Sequence, residues 1–259
     1  LSLHDALPIY MNWGSLDEAY QVAMDSNYFY RHHVLIWGNQ QPQWLFDMDS
    51  AAQRAEIEEW INEVATRYPD ISQVEVVNEP LHDPPLAQNE TDFQSGNYYQ
   101  ALGGAGETGR DWILESFRMA RTAFGSDANL MINDYGIMNS TEKTDTYRSI
   151  IDLLMAEDTL INSIGLQAHA FSHSVSVEIL QRNLDSLAAT GLPIYVTELD
   201  VDGETDLKQV NTYMKLFPVF WEHPSVEGIT LWGFRPGMWR TNTMAYLIDA
   251  TGEERPAMT

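Results

Sequence analysis

Six short apolar runs, separated by longer stretches of helical period, constrain this chain more than any other feature. The runs are His33–Trp37, Val74–Asn78, Leu130–Asn133, Ile164–Gln167, Ile194–Thr197 and Ile229–Trp232. They are β-branched or apolar nearly throughout, as strands covered on both faces should be. The pattern predicts helices over Ser15–Asp25, Ala51–Arg67, Thr108–Phe124, Glu142–Met155, Val177–Ala189 and Leu207–Trp221. Ser15 suits an N-cap. Tyr68-Pro69 ends the second helix, because the residue before proline avoids the helical region. Gly125 suits the position just past the third helix. Repeated β-α units of this kind mean a parallel sheet, either open or closed into a barrel.

The ends of the runs favour the barrel. Polar or aromatic residues follow almost every strand: Trp37, Asn78 with Glu79, Asn133 to Tyr135, Gln167 to His169, Glu198 and Trp232. Functional groups drawn from many strand ends are what the top face of a barrel presents, whereas an open sheet gathers them at one switch point. A barrel of this type needs eight strands, and six are visible.

Composition excludes several classes. The chain has 259 residues, with 14 basic against 38 acidic side chains and a formal net charge of −24. That balance disfavours nucleic acid and anionic membranes, both of which reward clustered Lys and Arg. No window approaches the ~18 consecutive apolar residues of a membrane span. There is no cysteine, hence no disulfide framework and no thiolate metal site. A glycine-rich phosphate loop after a strand is absent, and Gly103-Gly104-Ala105-Gly106 reads as a flexible turn. No spacing of His and acidic residues suggests a metal ion. No cofactor is expected. Residues 1–9 match neither a signal peptide nor the rest of the pattern, and are set aside as a non-native leader before a catalytic region over 10–259.

Two carboxylates stand out. Glu79 follows the second run and precedes Pro80, and Glu198 follows Ile194–Thr197. Glycosidic cleavage needs one carboxylic acid to protonate the leaving oxygen and one carboxylate on the other side of the anomeric carbon. Strand-end positions on one barrel mouth could supply both.

The segments His33-Val34-Leu35-Ile36-Trp37, Val77-Asn78-Glu79-Pro80, Ile132-Asn133-Asp134-Tyr135, Gly165-Leu166-Gln167-Ala168-His169, Val196-Thr197-Glu198-Leu199-Asp200 and Ile229-Thr230-Leu231-Trp232-Gly233 occur in the order and spacing of glycoside hydrolase family 10 xylanases. From about Tyr10 to the C-terminus the chain resembles that family. The resemblance implies a (β/α)8 TIM barrel lacking its first two strands, and retaining hydrolysis of internal β-1,4 bonds of xylan. Glu79 would be the acid/base and Glu198 the nucleophile, their carboxyl groups ~5–5.5 Å apart. Asn78 would bind the sugar 2-hydroxyl, while His169 and Asp200 would support Glu198, with Gln167 in the same cluster. His33, Trp37, Gln40, Trp232 and Trp239 would line the nearest subsites. Asn133 and Tyr135 would reach the site, Arg240 would form an ion pair beneath the aromatic wall, and Trp13 and Trp44 would belong to core or rim.

Two departures from the family stand out. Gly38 stands where many relatives have histidine, which suggests a lost donor and a wider subsite. Met11-Asn12-Trp13-Gly14 is not the family's early Glu-Asn motif, so the sugar-binding lysine of that region has no counterpart. The expectation is a chain truncated from a longer gene, less stable than a complete relative and weaker in binding. Xylan and xylo-oligosaccharides are the expected partners, and secretion or periplasmic export follows from the polymeric substrate. Oligomeric state is not encoded in these features. Competing readings are a sister glycosidase acting on cellulose or mannan, and a non-catalytic carbohydrate-binding barrel.

Overall fold

The computed structural model of the protein describes residues 11–85, 98–158, 160–170 and 175–259. The leader expected over residues 1–9 lies outside them. The chain divides into two compact units. One runs to Ile132 and takes in Leu153–Asn162; the other comprises Asn133–Asp152 and Ser163–Thr259.

The first unit contains α1 (Gly14–Asp25), β1 (Arg31–His32), β2 (Ile36–Trp37), α2 (Ser50–Arg67), β3 (Gln73–Asn78) and α3 (Asp111–Phe124). It also holds most of β4 (Leu130–Asn133), whose last residue opens the second unit. β1 and β2 both pair with β3 in parallel, and β4 lies on the other side of β3. All six residues of β3 are buried. α2 turns Gln53, Ile57, Ile61 and Val64 inward at helical spacing. The Asp49 carboxylate caps its start by accepting from Ala52 N–H at 2.9 Å. The Tyr68-Pro69 boundary ends it as expected.

The second unit carries most of α4 (Thr141–Met155), then β5 (Ser163–Leu166), α5 (Val177–Ala188), β6 (Ile194–Leu199), α6 (Asp206–Trp221) and β7 (Val226–Leu231). β6 pairs in parallel with β5 on one side and β7 on the other. Ser176 caps α5, and Thr205 caps α6 by accepting from Lys208 N–H at 3.2 Å. The C-terminal segment is tied down by Arg255, which donates to the carbonyls of Gly203 and Tyr246 at 2.7 and 3.1 Å and pairs with Asp206 at 2.8 Å.

Five local expectations need correction. The run His33–Trp37 is not one strand: pairing with β3 breaks between His32 and Ile36. Four residues advance there while β3 advances three, so one extra residue is accommodated in the manner of a bulge. Ser15 does not cap α1; Trp13 holds the cap position, and Gly14 N–H meets Asn12 Oδ1 at 3.3 Å. α3 starts at Asp111 rather than Thr108, because the Asp111 carboxylate gathers the N–H groups of Glu107 and Thr108 at 3.0 and 3.1 Å. The same carboxylate fills the space beside Gly106, so the glycine run is a held loop and not a loose turn. Finally, β7 is not covered on both faces: Glu227 and Thr230 are exposed, as befits a strand at the end of its sheet.

Candidate active site

In the first unit, β3 ends by delivering Asn78 and Glu79. Both are buried, at 2% and 8% exposure. Glu79 sits in the left-handed region at φ 54°, a sparsely populated conformation for a residue with a Cβ. Its carbonyl accepts from His82 and Asp83 N–H at 3.1 and 2.8 Å, which starts a tight turn immediately after the strand. The Trp37 indole Nε1–H, from the end of β2, donates to Glu79 Oε2 at 3.0 Å. The register explains the meeting, since Trp37 stands beside Asn78 in the parallel pair.

Gly38 is explained by the same turn. Its N–H donates to Asp83 O at 3.0 Å, and a Cβ there would lie 2.2 Å from Asp83 O and 2.3 Å from Pro84 C. The expected widening of a subsite at this position is therefore corrected: backbone, not open space, occupies the place of a side chain. Gln40 is exposed, at φ 58°, with its N–H on Asn39 Oδ1 at 2.8 Å. His33 Nδ1 stands 3.0 Å from Glu75 Oε1, and Glu75 is fully buried. The adjacent His32 points elsewhere, against Trp60, where burial first and the charge of His33 second push its pKa down to about 3. Trp13 stacks on Trp60 at 5.5 Å under the Arg67 guanidinium, which matches the core-or-rim expectation. Trp44 is half-buried.

In the second unit, backbone hydrogen bonds continue past the strands. Gln167 N–H reaches Asp134 O, Glu198 N–H reaches Gln167 O, and Trp232 N–H reaches Leu199 O, at 3.0, 3.0 and 2.9 Å. These bonds bring Asn133, Gln167, His169, Glu198 and Asp200 into one buried cluster, none more than 5% exposed. Asn133 Nδ2 donates to Glu198 Oε1 at 3.0 Å, and Thr197 Oγ1 donates to Asn133 Oδ1 at 2.8 Å. His169 Nε2 lies 3.2 Å from Glu198 Oε2, while its Nδ1 makes a short bond with Asp200 Oδ2. Asp200 Oδ1 also accepts from Ala170 N–H at 2.8 Å.

Burial alone would lower the His169 pKa, but the hydrogen bonds to Asp200 and then Glu198 outweigh it and raise the value to about 9. The imidazole is thus a cation at neutral pH, held between two carboxylates. Tyr135 is half-buried beside this cluster in sequence, its N–H on Asp134 Oδ1 at 2.7 Å.

Trp239 stands over His169, with ring centroids 5.6 Å apart, and remains 43% exposed. Gly233 makes room for it, because a Cβ there would lie 2.7 Å from Trp239 Cβ and Trp239 O. Trp232 is half-buried just past β7. Arg240 grips Asp202 with two bonds of 2.8 and 2.6 Å and lies 3.8 Å from Asp200 Oδ1. Burial opposes ionisation of Asp202, yet Arg240 and Thr243 hold its carboxyl below the usual range. Arg240 is therefore the ion-paired anchor of the Trp239 segment.

A buried carboxylate receiving an amide and an imidazolium, under an exposed tryptophan, is the pattern that the family comparison decides. The sequence profile of Glycosyl hydrolase family 10 matches residues 7–259. The chain belongs to that family. Relatives include endo-1,4-beta-xylanase B of Cellvibrio japonicus, 33% identical over 96% of this chain and 38% of that protein. Exoglucanase XynX of Acetivibrio thermocellus is 29% identical over 93% of this chain and 23% of that protein. The chain thus spans well under half the length of these curated relatives. The solved family 10 structure from Paenibacillus barcinonensis superposes with a TM-score of 0.81 at 25% identity, over 98% of this chain and 81% of that one. The fold is accordingly α/β, a partial (β/α)8 barrel.

Three residues that hold the candidate residues in place were not singled out in the sequence. Tyr98 binds the Trp37 backbone, Thr197 orients Asn133, and Asp202 anchors Arg240. Thr197 and Asp202 flank the Glu198-Leu199-Asp200 segment, which is the one signal that could have drawn attention to them. Tyr98 carries no such signal. Among the described residues, no helix is long and apolar enough to cross a membrane.

Proposed function

We propose that this chain performs retaining hydrolysis of internal β-1,4 bonds in xylan and xylo-oligosaccharides, with Glu198 as nucleophile and Glu79 as acid/base. The observation that carries this reading is the convergence of Asn133 Nδ2–H and the His169 imidazole on separate oxygens of Glu198. Donors aimed at both oxygens favour the anion that a nucleophile must be. Asp200 keeps the proton on His169, so the donor is charged rather than neutral. Glu79 is met instead by the neutral indole N–H of Trp37. Two carboxylates in unlike surroundings are what divided acid and nucleophile roles require.

The chemistry balances as two displacements. A Glu198 oxygen attacks the anomeric carbon while the Glu79 carboxylic acid gives its proton to the departing glycosidic oxygen. The glycosyl–Glu198 ester then yields to water, whose proton passes to the Glu79 carboxylate. Asn78 is placed in the role of 2-hydroxyl partner, where a hydrogen bond strengthens at the transition state. Trp239 and Trp232 offer faces for stacking against sugar, and His33, Trp37, Gln40, Tyr135 and Gln167 are proposed for the adjoining subsites. Gln40 is exposed, and its backbone N–H is held by the Asn39 side chain. Because polymeric xylan cannot enter a cell, action outside the cytoplasm goes with this reading.

The exoglucanase named among the relatives makes a glucan-cleaving reading the specific rival. Reducing-sugar release from xylan, carboxymethylcellulose and mannan separates the two, with Glu198→Ala and Glu79→Ala measured beside the parent. Xylan cleavage lost in both variants is expected. Cleavage of cellulose but not xylan would replace the substrate, and unchanged rates in Glu198→Ala would remove the mechanism.

A further inference from the structure

Glu79 is met by the indole N–H of Trp37, and the backbone of that tryptophan is itself held by a buried tyrosine. Tyr98 is buried, at 2% exposure, and its hydroxyl makes two bonds to the backbone of one residue. It accepts from Trp37 N–H at 3.2 Å and donates to Trp37 C=O at 2.5 Å. Trp37 is the last residue of β2, at the point where pairing with β3 stops, so its backbone N–H has a side-chain partner instead of a strand. On the next residue, Gly38 N–H is held by Asp83 O at 3.0 Å. The chain is thus fixed at two consecutive N–H groups, one of them by the Tyr98 hydroxyl.

Tyr98 is well seated. Its carbonyl accepts from Leu102 N–H at 3.1 Å, Leu102 is fully buried, and Arg54 donates to Ala101 O at 3.3 Å while pairing with Glu115 and Glu58. Burial pushes the phenol pKa up, against the opposing bond to Trp37, so the hydroxyl keeps its proton wherever the enzyme would work. A phenylalanine would fill the same volume. What the hydroxyl adds is the pair of bonds to Trp37, and Trp37 passes that fixation on through Nε1–H to Glu79 Oε2 at 3.0 Å.

We propose that Tyr98 is a positioning residue for the general acid: its hydroxyl clamps the Trp37 backbone, which sets the indole N–H on Glu79 and thereby the carboxyl that protonates the leaving group. This rests on the reading of Glu79 as acid/base. Without the hydroxyl, two Trp37 backbone groups lose a partner and the indole is free to rotate off the carboxyl. The carboxyl then protonates the leaving oxygen from a less favourable geometry. General-acid catalysis is geometry-limited, so the loss should track how much the leaving group needs a proton.

The test is Tyr98→Phe, assayed by kcat/KM on two aryl β-xylobiosides. The 2,4-dinitrophenyl glycoside departs as a stable phenolate and needs no proton; the phenyl glycoside needs one. The variant should lose about tenfold on the phenyl glycoside and stay within about twofold on the dinitrophenyl one. Both substrates are read on one preparation, so the ratio does not depend on the fraction folded. Equal losses on both substrates, or no loss on either, would overturn the proposal. Glu79→Gln, run alongside, should show the same split in larger measure. If Glu79→Gln falls equally on both glycosides, the acid/base reading itself fails; if it splits while Tyr98→Phe does not, only the Tyr98 inference fails.

Discussion

Replacing Asp200 with asparagine tests the electrostatics of the Glu198 cluster. In the parent, His169 is buried at 5% exposure, with Asp200 on Nδ1 and Glu198 on Nε2. Its pKa of about 9 lies above the ~6.5 of a free histidine. At 1.36 kcal/mol per unit, that difference corresponds to roughly 3 kcal/mol of preference for the protonated form. The folded pKa exceeds the unfolded one, so this stabilisation is fully present below pH ~6.5 and is lost as pH rises through about 9. Asp200→Asn removes the charge that outweighs burial, and the His169 pKa should fall to the ordinary histidine range or below. The destabilisation of Asp200→Asn should therefore be on the order of 3 kcal/mol at pH 6 and much smaller above pH 9.5. Denaturant unfolding at both pH values measures it, and NMR titration of the histidine ring nitrogens assigns it. A parent His169 titrating at or below 6.5, or a destabilisation equal at the two pH values, would refute the reasoning.

Three further outcomes follow from particular contacts. Gly38→Ala places a methyl 2.2 Å from Asp83 O and should destabilise by about 1–3 kcal/mol while displacing the turn after Glu79; the denaturant midpoint and the rate of xylan hydrolysis should both fall. Thr197→Val keeps the shape but strips Asn133 Oδ1 of its donor, so kcat on xylotetraose should fall about five- to twentyfold, and Thr197→Ser should recover most of it. Arg240→Met breaks the two bonds to Asp202 that anchor the Trp239 segment, and should raise KM more than it lowers kcat in steady-state assays.

Much of the fold was legible because parallel strands with both faces covered are apolar at most positions and end at polar residues. β3 and β4 illustrate this, with every residue buried and Asn78, Glu79 and Asn133 at their ends. The run Ile229–Trp232 reads as a covered strand in the same way, yet β7 has Glu227 and Thr230 exposed, because it lies at the end of its sheet. The break between His32 and Ile36 was hidden, since an extra residue in a strand leaves the apolar pattern intact.

The cluster around Glu198 was legible wherever residues lie next to one another at strand ends, as Gln167 with His169 and Glu198 with Asp200 do. Residues acting at one remove were not. Thr197 reads as ordinary β-branched strand content until its hydroxyl is seen on Asn133. Tyr98 lies 61 residues from Trp37 and reads as core. Gly38 suggested an emptied pocket, and only the backbone of Asp83 and Pro84 shows why no side chain fits.

The most direct measurement is the anomeric configuration of the first sugar released from xylotetraose, followed by proton NMR immediately after mixing. Retention through a Glu198 ester predicts that the β-anomer accumulates first and the α-anomer appears only as mutarotation proceeds. Release of the α-anomer first, or no release from a folded and sugar-binding protein, would contradict the assignment of Glu198 and Glu79.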